Sequence, residues 1–235
     1  MLDKNIPQHI GIIMDGNRRW AKKHKLSILG GHQEAADKII EPLIERAGNL
    51  GIKYLTFWCF STENWKRSKF EVTGLMKIFR YVIRAKLSRF AKKGARLGLI
   101  GDISKFPKDI QEEVKQASEK TKDNKKITVN FALNYGGRDE IVRAFNKWLG
   151  QRPKAKDQRS KIKEQELEDY LDTAGQPDPD LIIRTGGEQR SSGFLTWQSV
   201  YSELYFTEVL FPDFTVERFD EAIREFQKRQ RRFGK

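Results

Sequence analysis

The chain has 235 residues, with 45 Lys and Arg against 32 Asp and Glu, a formal net charge of +13. With 38% hydrophobic and 33% charged residues, it fits one α/β domain with a real core, and no apolar run approaches the roughly 20 residues a membrane helix needs. One cysteine, Cys59, excludes an internal disulfide and a Cys-rich metal site. Lying in YLTFWCF, it reads as a buried structural thiol. The start, MLDKNIPQHI, has neither the basic head nor the apolar centre of a signal peptide, so a cytoplasmic location is expected. The cationic excess suits nucleic acid, anionic membrane or phosphorylated small molecules, and does not choose among them.

In chain order, HIGIIMD (9–15) is predicted as a first buried strand, a continuous apolar run closed by turn residues. A helix is predicted over 31–50, where Ala36, Ile40, Leu43, Ala47 and Leu50 repeat on one face. Pro42 lies inside that pattern and predicts a kink. YLTFWCFS (54–61) is a second strand, too apolar for one solvated face. A long helix is expected over 71–93, with Gly94 at its C-terminal cap. RLGLIGD (96–102) is a third strand, and Pro107 opens a helix on which Ile110, Val114 and Ala117 repeat. ITVNFALNY (127–135) is a fourth strand, followed by a helix over 138–149 ending at Gly150. The segment 150–163 holds six cations and one acid and reads as a basic surface loop. A short helix at 164–173, strands in DLIIRTG (180–186) and ELYFTEVLF (203–211), and a helix from about 215 to 232 complete the chain. The alternation predicts an α/β fold: a single domain over 1–235 with a six-stranded, mainly parallel sheet flanked by helices.

In such sheets ligands bind beyond the carboxyl ends of the strands. There the sequence places DGNRRWAKKH after strand one, STENWKR after strand two, NYGGRDE after strand four and RTGGEQRSS after strand five. Glycines let backbone N–H groups approach an oxygen-rich anion, and arginine adds bidentate contacts to phosphate. Two separate arginine-bearing loops suggest two anionic groups. Each feature has a plainer reading. Asp15 caps a helix, His32 opens one, and Trp20, Trp58, Phe60 and Trp65 are core. The coincidence of loops favours a site. The chain has no G-x-x-x-x-G-K-[ST] and no G-x-G-x-x-G after a strand, and His9, His24 and His32 lack the spacing of zinc ligands. Mg²⁺ shared with diphosphate oxygens stays open, because it needs only one or two protein carboxylates.

HIGIIMDGNRRWA, FSTENWKR, ALNYGGRDEI, DLIIRTGGEQRSSGFLTWQSVYSELYF and the terminal RRFG together resemble the cis-prenyltransferases. That family includes the undecaprenyl and dehydrodolichyl diphosphate synthases. The resemblance runs from about residue 9 to 234, in the family's order and spacing. It implies condensation of isopentenyl diphosphate onto an allylic diphosphate, each new double bond being Z, with Mg²⁺ as cofactor and a homodimer as the assembly. By motif, Asp15 would hold Mg²⁺ and help the allylic diphosphate leave. Gly16, Asn17, Arg18, Arg19 and the adjoining Trp20 would cradle that diphosphate, and His32 would contact it. In STENWKR, Ser61, Thr62, Glu63, Asn64, Trp65 and Arg67 would position the reacting groups, Asn64 serving proton removal. Glu71 falls where the family has an acid just beyond this motif. Arg184, Arg190, Ser191 and Ser192 would bind isopentenyl diphosphate, and Glu203 would be the second Mg²⁺ ligand. The final Arg232-Phe233-Gly234 resembles a tail that reaches the active site across a dimer. A growing isoprenoid also requires a dry apolar tunnel between helices and sheet. The helices at 31–50 and 71–93 are apolar enough to wall it, although the same residues would equally serve as core.

Two positions depart from the family pattern: Ile28 stands where an arginine is common, and Gly193 where an asparagine is usual. Two rival readings are a nucleic-acid-binding α/β protein and a catalytically silent partner subunit. The motif's acids and glycines beside its cations argue against the first, and the retained Asp15, Asn64, Arg184, Arg190 and Glu203 against the second. Because the implied product is a lipid, the basic surface is expected to make a peripheral contact with anionic membrane, and no nucleic-acid partner is expected.

Overall fold

The computed structural model describes residues 5–151 and 161–229. Six strands form one parallel sheet: β1 (His9–Ile13), β2 (Tyr54–Ser61), β3 (Ala95–Ile100), β4 (Ile127–Tyr135), β5 (Leu181–Arg184) and β6 (Glu203–Phe206), in the order β3-β4-β2-β1-β5-β6. The chain leaves β1 towards β2 on one side and β5 towards β6 on the other. The carboxyl ends of β1 and β5 therefore flank the point where the winding reverses, which is where open α/β sheets bind ligands.

Strand side chains alternate between faces. Ile10, Ile12, Leu55, Phe57, Val129, Leu181 and Ile183 join one core cluster, into which Leu43, Phe219, Ile223 and Phe226 also pack. Ile13, Ala132 and Ile182 turn the other way, onto Phe194 and Leu195. Near its end β2 shifts register against β4 at Trp58, Phe60 and Ser61. Such a bulge re-aims side chains. Phe60 leaves the main cluster for a third one with Leu75, Met76, Phe106, Ile110 and Leu133.

The helices are α1 (Asn17–Lys23), α2 (Gly30–Glu34), α3 (Ile40–Asn49), α4 (Lys69–Ala85), α5 (Leu87–Lys92), α6 (Lys108–Thr121), α7 (Gly137–Gln151), α8 (Glu164–Glu168) and α9 (Val216–Lys228). Several differ from the sequence expectation. Helix α1 has no apolar period and was not predicted; only Asn17, Trp20 and Ala21 are buried on it. The kink expected at Pro42 is a π-helical turn over Ala35–Ile39, joining α2 to α3. Proline has no N–H for the carbonyl four residues back, and the extra residue of a π-turn accommodates that break. The helix expected over 71–93 is two, α4 and α5, broken at Lys86 (φ −112°, ψ −37°). The short helix at 164–173 stops at Glu168, while the sixth strand, Glu203–Phe206, lies within 203–211 as expected. The last helix ends at Lys228, short of 232, and most of the basic loop 150–163 and Arg232-Phe233-Gly234 lie outside the described residues. Among the described residues no helix is long and apolar enough to cross a membrane.

Candidate functional site

The turn after β1 is built on Gly16, whose φ of 105° favours glycine. A Cβ there would also sit 2.8 Å from the Leu210 side chain. The turn fixes Asp15: its carbonyl accepts the Thr185 hydroxyl at 2.7 Å and the Phe211 N–H at 3.0 Å. Its carboxylate receives Arg19 at 3.3 Å and Arg184 at 3.0 Å. Arg184, at the end of β5, is almost wholly buried, and its other terminal nitrogen donates to the Arg190 carbonyl at 2.5 Å and the Ser192 hydroxyl at 2.8 Å. Its Nε is buried without a partner.

Three cavities meet here. The first, about 620 Å³, is lined by Met14, Asp15, Gly16, Asn17, Arg18, Arg19, Lys22, Leu26, Ile28, His32 and Arg67. Four cations face one carboxylate, so it suits an anion. Arg67 and Arg18 are steadied by the buried Glu71, at 2.8 Å and 3.9 Å. The second, about 230 Å³, brings Ser61, Asn64, Trp58, Cys59 and Arg184 to the same Asp15, Asn17, His32 and Arg67. STENWKR supplies it as a 3-10 turn, Thr62–Lys66, capped by Ser61; the Asn64 side chain accepts the Ser61 N–H at 3.2 Å. The third is apolar, about 100 Å³, with Ala36, Ile40, Leu75, Phe79, Ile83 and Phe131 among its walls. It shares Met14, Asn17 and His32 with the first cavity and Cys59 with the second.

Two polar atoms at this junction have no partner: Asn17 Oδ1 and His32 Nε2 are buried and unbonded. Burial lowers the His32 pKa to about 4, with the Arg67 and Arg18 charges pushing the same way, so the ring is neutral at pH 7. Unpaired buried polar atoms are costly, and here they face a cavity that a polar ligand can fill. Burial pushes the Cys59 thiol up to about 12, which keeps it protonated and unreactive.

The structure thus brings Asp15, Gly16, Asn17, Arg18, Arg19, His32, Ser61, Asn64, Arg67 and Arg184 together. Ser192 joins through Arg184. Other expected residues stand apart from these walls. Trp20 is buried, donates to Asp213 at 2.7 Å and stacks on His24. Trp65 donates to Asn134 at 2.8 Å and packs against Phe60 and Phe106. The Thr62 hydroxyl donates to Glu63 at 3.0 Å. Arg190 is exposed and paired with Glu188, and the Ser191 carbonyl accepts the Phe194 N–H. Glu203 is not beside Asp15. It opens β6 opposite Leu181, three residues from the Arg184 end, and bonds Arg229 at 2.8 Å. Sequence reasoning missed Met14, Lys22, Trp58, Cys59 and Thr185 as parts of the site. Lys22 lies one turn beyond Arg18 on α1, so its place follows once that helix is seen.

Of the two departures, Ile28 does line the cationic cavity, adding apolar surface where a cation is common. Gly193 has φ 87°. Asparagine, like glycine, tolerates that left-handed conformation, so the exchange preserves the loop's backbone. Its carbonyl accepts the Gly137 N–H at 2.8 Å, tying this loop to the start of α7.

Asp15 fits a divalent cation of the Mg²⁺ type, which takes one or two carboxylates and completes its shell with phosphate oxygens and water. Among the described residues no cluster of three or more His, Cys, Asp or Glu is placed to hold a metal.

A cationic cavity opening into an apolar one, at the carboxyl end of a parallel sheet, defines a protein that takes a phosphorylated molecule with an apolar tail. Comparison with known proteins gives the class. The model of the family described as "Putative undecaprenyl diphosphate synthase" matches residues 13–234. An isoprenyl transferase of Chlamydia trachomatis is 46% identical, over 98% of this chain and 92% of that one. One from Clostridium perfringens is 45% identical over 100% and 92%. Among solved structures, lavandulyl diphosphate synthase from Lavandula x intermedia, in complex with dimethylallyl diphosphate, superposes with TM-score 0.93 at 36% identity, covering 98% of this chain and 99% of that one. A probable undecaprenyl diphosphate synthase from Campylobacter jejuni gives 0.82 at 35%, covering 98% and 100%. The chain belongs to the undecaprenyl diphosphate synthase family, the cis-prenyltransferases, and is a prenyltransferase.

Proposed function

We propose that the enzyme condenses isopentenyl diphosphate repeatedly onto an allylic diphosphate, with Mg²⁺, to give a long-chain Z-polyprenyl diphosphate. The observation that carries this is the junction of the three cavities at Met14, Asn17, His32 and Cys59. A diphosphate head in the cationic cavity places its hydrocarbon tail at the apolar one. The second polar cavity, walled by Ser61, Asn64 and Arg184, then receives the isopentenyl diphosphate.

Departure of the allylic diphosphate concentrates charge on its oxygens. Arg18, Arg19, Lys22 and Arg67 line the cavity in which that charge would develop. Mg²⁺, when bound at Asp15, would add Lewis-acid stabilisation to the same oxygens. Asn17 and His32 offer their free polar atoms to the bound head. Arg184 orients the second diphosphate from beside Asp15, and Asn64 stands in the same cavity to serve proton removal. Holding both substrates at attack distance contributes up to roughly 7–11 kcal/mol to lowering the barrier. Glu203 lies about 10 Å along the strand from the Arg184 end, so a place for it in the metal site requires a second copy of the chain. Exposed Val142, Phe145 and Leu149 on α7, with Val200 and Tyr201 just before the edge strand β6 and Leu204 on it, offer a homodimer face.

A second reading, a short product, is favoured by the small volume of the apolar cavity. The test is incorporation of radiolabelled isopentenyl diphosphate with Mg²⁺ and dimethylallyl, geranyl, farnesyl or geranylgeranyl diphosphate, beside Asp15→Ala. Long Z-prenyl products that vanish with Asp15→Ala or a chelator are expected. A single condensation would establish the short-product reading, and no incorporation from any starter would sink both.

A further inference from the structure

The surface changes character at the mouth of the cationic cavity. Phe70, in the first turn of α4, is 70% exposed; Leu26 and Ile28, between α1 and α2, are 51% and 43% exposed. Lys22, Lys23 and Lys25 flank Leu26 and Ile28, and Lys66 and Lys69 flank Phe70, all exposed. Glu63 is the one exposed acid in 18–28 and 61–70. The two stretches form one face. Lys22, Leu26, Ile28 and Arg67 wall the same cavity, Arg18 and Arg67 share Glu71, and Leu29 packs against Gly74 of α4.

Contact with substrate accounts for Leu26, Ile28 and Lys22, which line the cavity. It does not account for Phe70, Lys23 or Lys69, which line none of the three site cavities. Large apolar side chains among unopposed lysines are the composition of an interfacial surface: the apolar groups enter the headgroup region and the cations meet anionic lipid. RNA would use the lysines and could stack a base on Phe70, but it would leave the aliphatic Leu26 and Ile28 in water.

We propose that this rim docks on an anionic lipid bilayer, seating the diphosphate mouth of the enzyme at the membrane surface. The inference deepens the proposed function, on which it rests for its purpose: a long polyprenyl diphosphate is itself a lipid and is released where it partitions. The binding surface itself is defined by the exposed residues alone.

The experiment is co-sedimentation with vesicles of phosphatidylcholine, with and without phosphatidylserine, at low and high salt. The full chain is compared with Phe70→Ser, with Lys23→Glu/Lys69→Glu, and with Lys122→Glu/Lys125→Glu as a control at exposed lysines before the amino end of β4. The wild type is expected to pellet with the serine-lipid vesicles at low salt and to be released by salt. Phe70→Ser and the lysine pair should each lower the partition constant about tenfold, and the control should not. Isopentenyl diphosphate incorporation in detergent, measured on the same preparations, should be equal in all four. Equal partition of wild type and rim variants, or no binding to serine-lipid vesicles, overturns the proposal. So does RNA binding as tight as lipid binding, whether or not Phe70→Ser weakens it. Absent incorporation with rim-dependent vesicle binding would instead sink the catalytic reading and leave the docking surface standing.

Discussion

Asp15 and Arg184 meet at 3.0 Å across two neighbouring parallel strands. Arg184 ends β5 opposite Ile13, and Asp15 stands two residues further along the neighbouring chain segment. One guanidinium therefore spans the metal-binding candidate, Asp15, and the Arg190–Ser192 loop. Lysine carries the charge but not the planar fork that holds three partners at once. Arg184→Lys is expected to lower kcat/KM for isopentenyl diphosphate about a hundredfold, or ~3 kcal/mol, mostly as a higher KM. Steady-state kinetics at saturating allylic substrate measures it; a loss under about threefold would show that charge alone suffices.

Much of this arrangement was legible because parallel strands, buried on both faces, read as unbroken apolar runs. HIGIIMD, YLTFWCFS and ITVNFALNY lie within a residue or two of β1, β2 and β4. The strand-end motifs were legible for the same reason: they are polar blocks abutting apolar ones. Helix α1 was not, since a seven-residue helix with one buried aromatic has no period to detect. The break at Lys86 was also hidden, because apolar spacing continues through it and the partner its side chain reaches, Asp37, is 49 residues away. That Glu203 opens β6 opposite Leu181 was not legible, because the motif's residues do not show at which end of the strand its first residue stands.

His9 and His32 are both buried, and burial lowers each pKa to about 4 from 6.5. His9 is further held by the Pro177 carbonyl at 2.7 Å and the Thr56 hydroxyl at 2.8 Å. Below pH 6.5 the unfolded chain takes up these two protons while the folded chain does not. Stability is then complete above about pH 6.5 and is lost as pH falls towards 4. By about pH 5 each histidine should cost about 2 kcal/mol. Urea unfolding across that range should show the decline, and His32→Gln should reduce its slope by about half. A flat profile would mean that neither ring stays neutral in the fold.

The apolar cavity shares Ile83, Leu97 and Ala117 with a neighbouring cavity of about 320 Å³, rimmed by Arg84, Glu113 and Lys120. Those three side chains are the partition between the two spaces. Ile83→Ala thins it at a stability cost of about 2 kcal/mol and is expected to lengthen the product by one or more prenyl units. Ala36→Phe, which fills the cavity from the α2–α3 side, should shorten it. Chain-length analysis of the radiolabelled products reads both. An unchanged distribution in the two variants would mean that the hydrocarbon grows elsewhere.

Both helical walls of that cavity are deformed at one level, and the deformations are tied. Asp37 lies in the π-turn before α3 and Lys86 at the break between α4 and α5; Lys86 Nζ reaches the Asp37 carboxylate at 3.4 Å and its carbonyl at 3.1 Å. Gln33 and Tyr81 also donate to the Asp37 carboxylate, each at 2.8 Å. The lysine is buried and the aspartate is a third exposed, so removing the two partners is not symmetric. Asp37→Ala strands a buried cation and two donors, and should destabilise by about 2 kcal/mol, less than a fully buried pair would because Asp37 is partly screened. Lys86→Met removes the charge, keeps the apolar stem, and leaves a carboxylate that water can reach, so its cost should stay under about 1 kcal/mol. Denaturant unfolding of the two variants tests the ranking. If Lys86→Met is the worse of the two, the cation itself holds the helices together, and the break at residue 86 is set by its charge and not by the desolvation of an unpaired group.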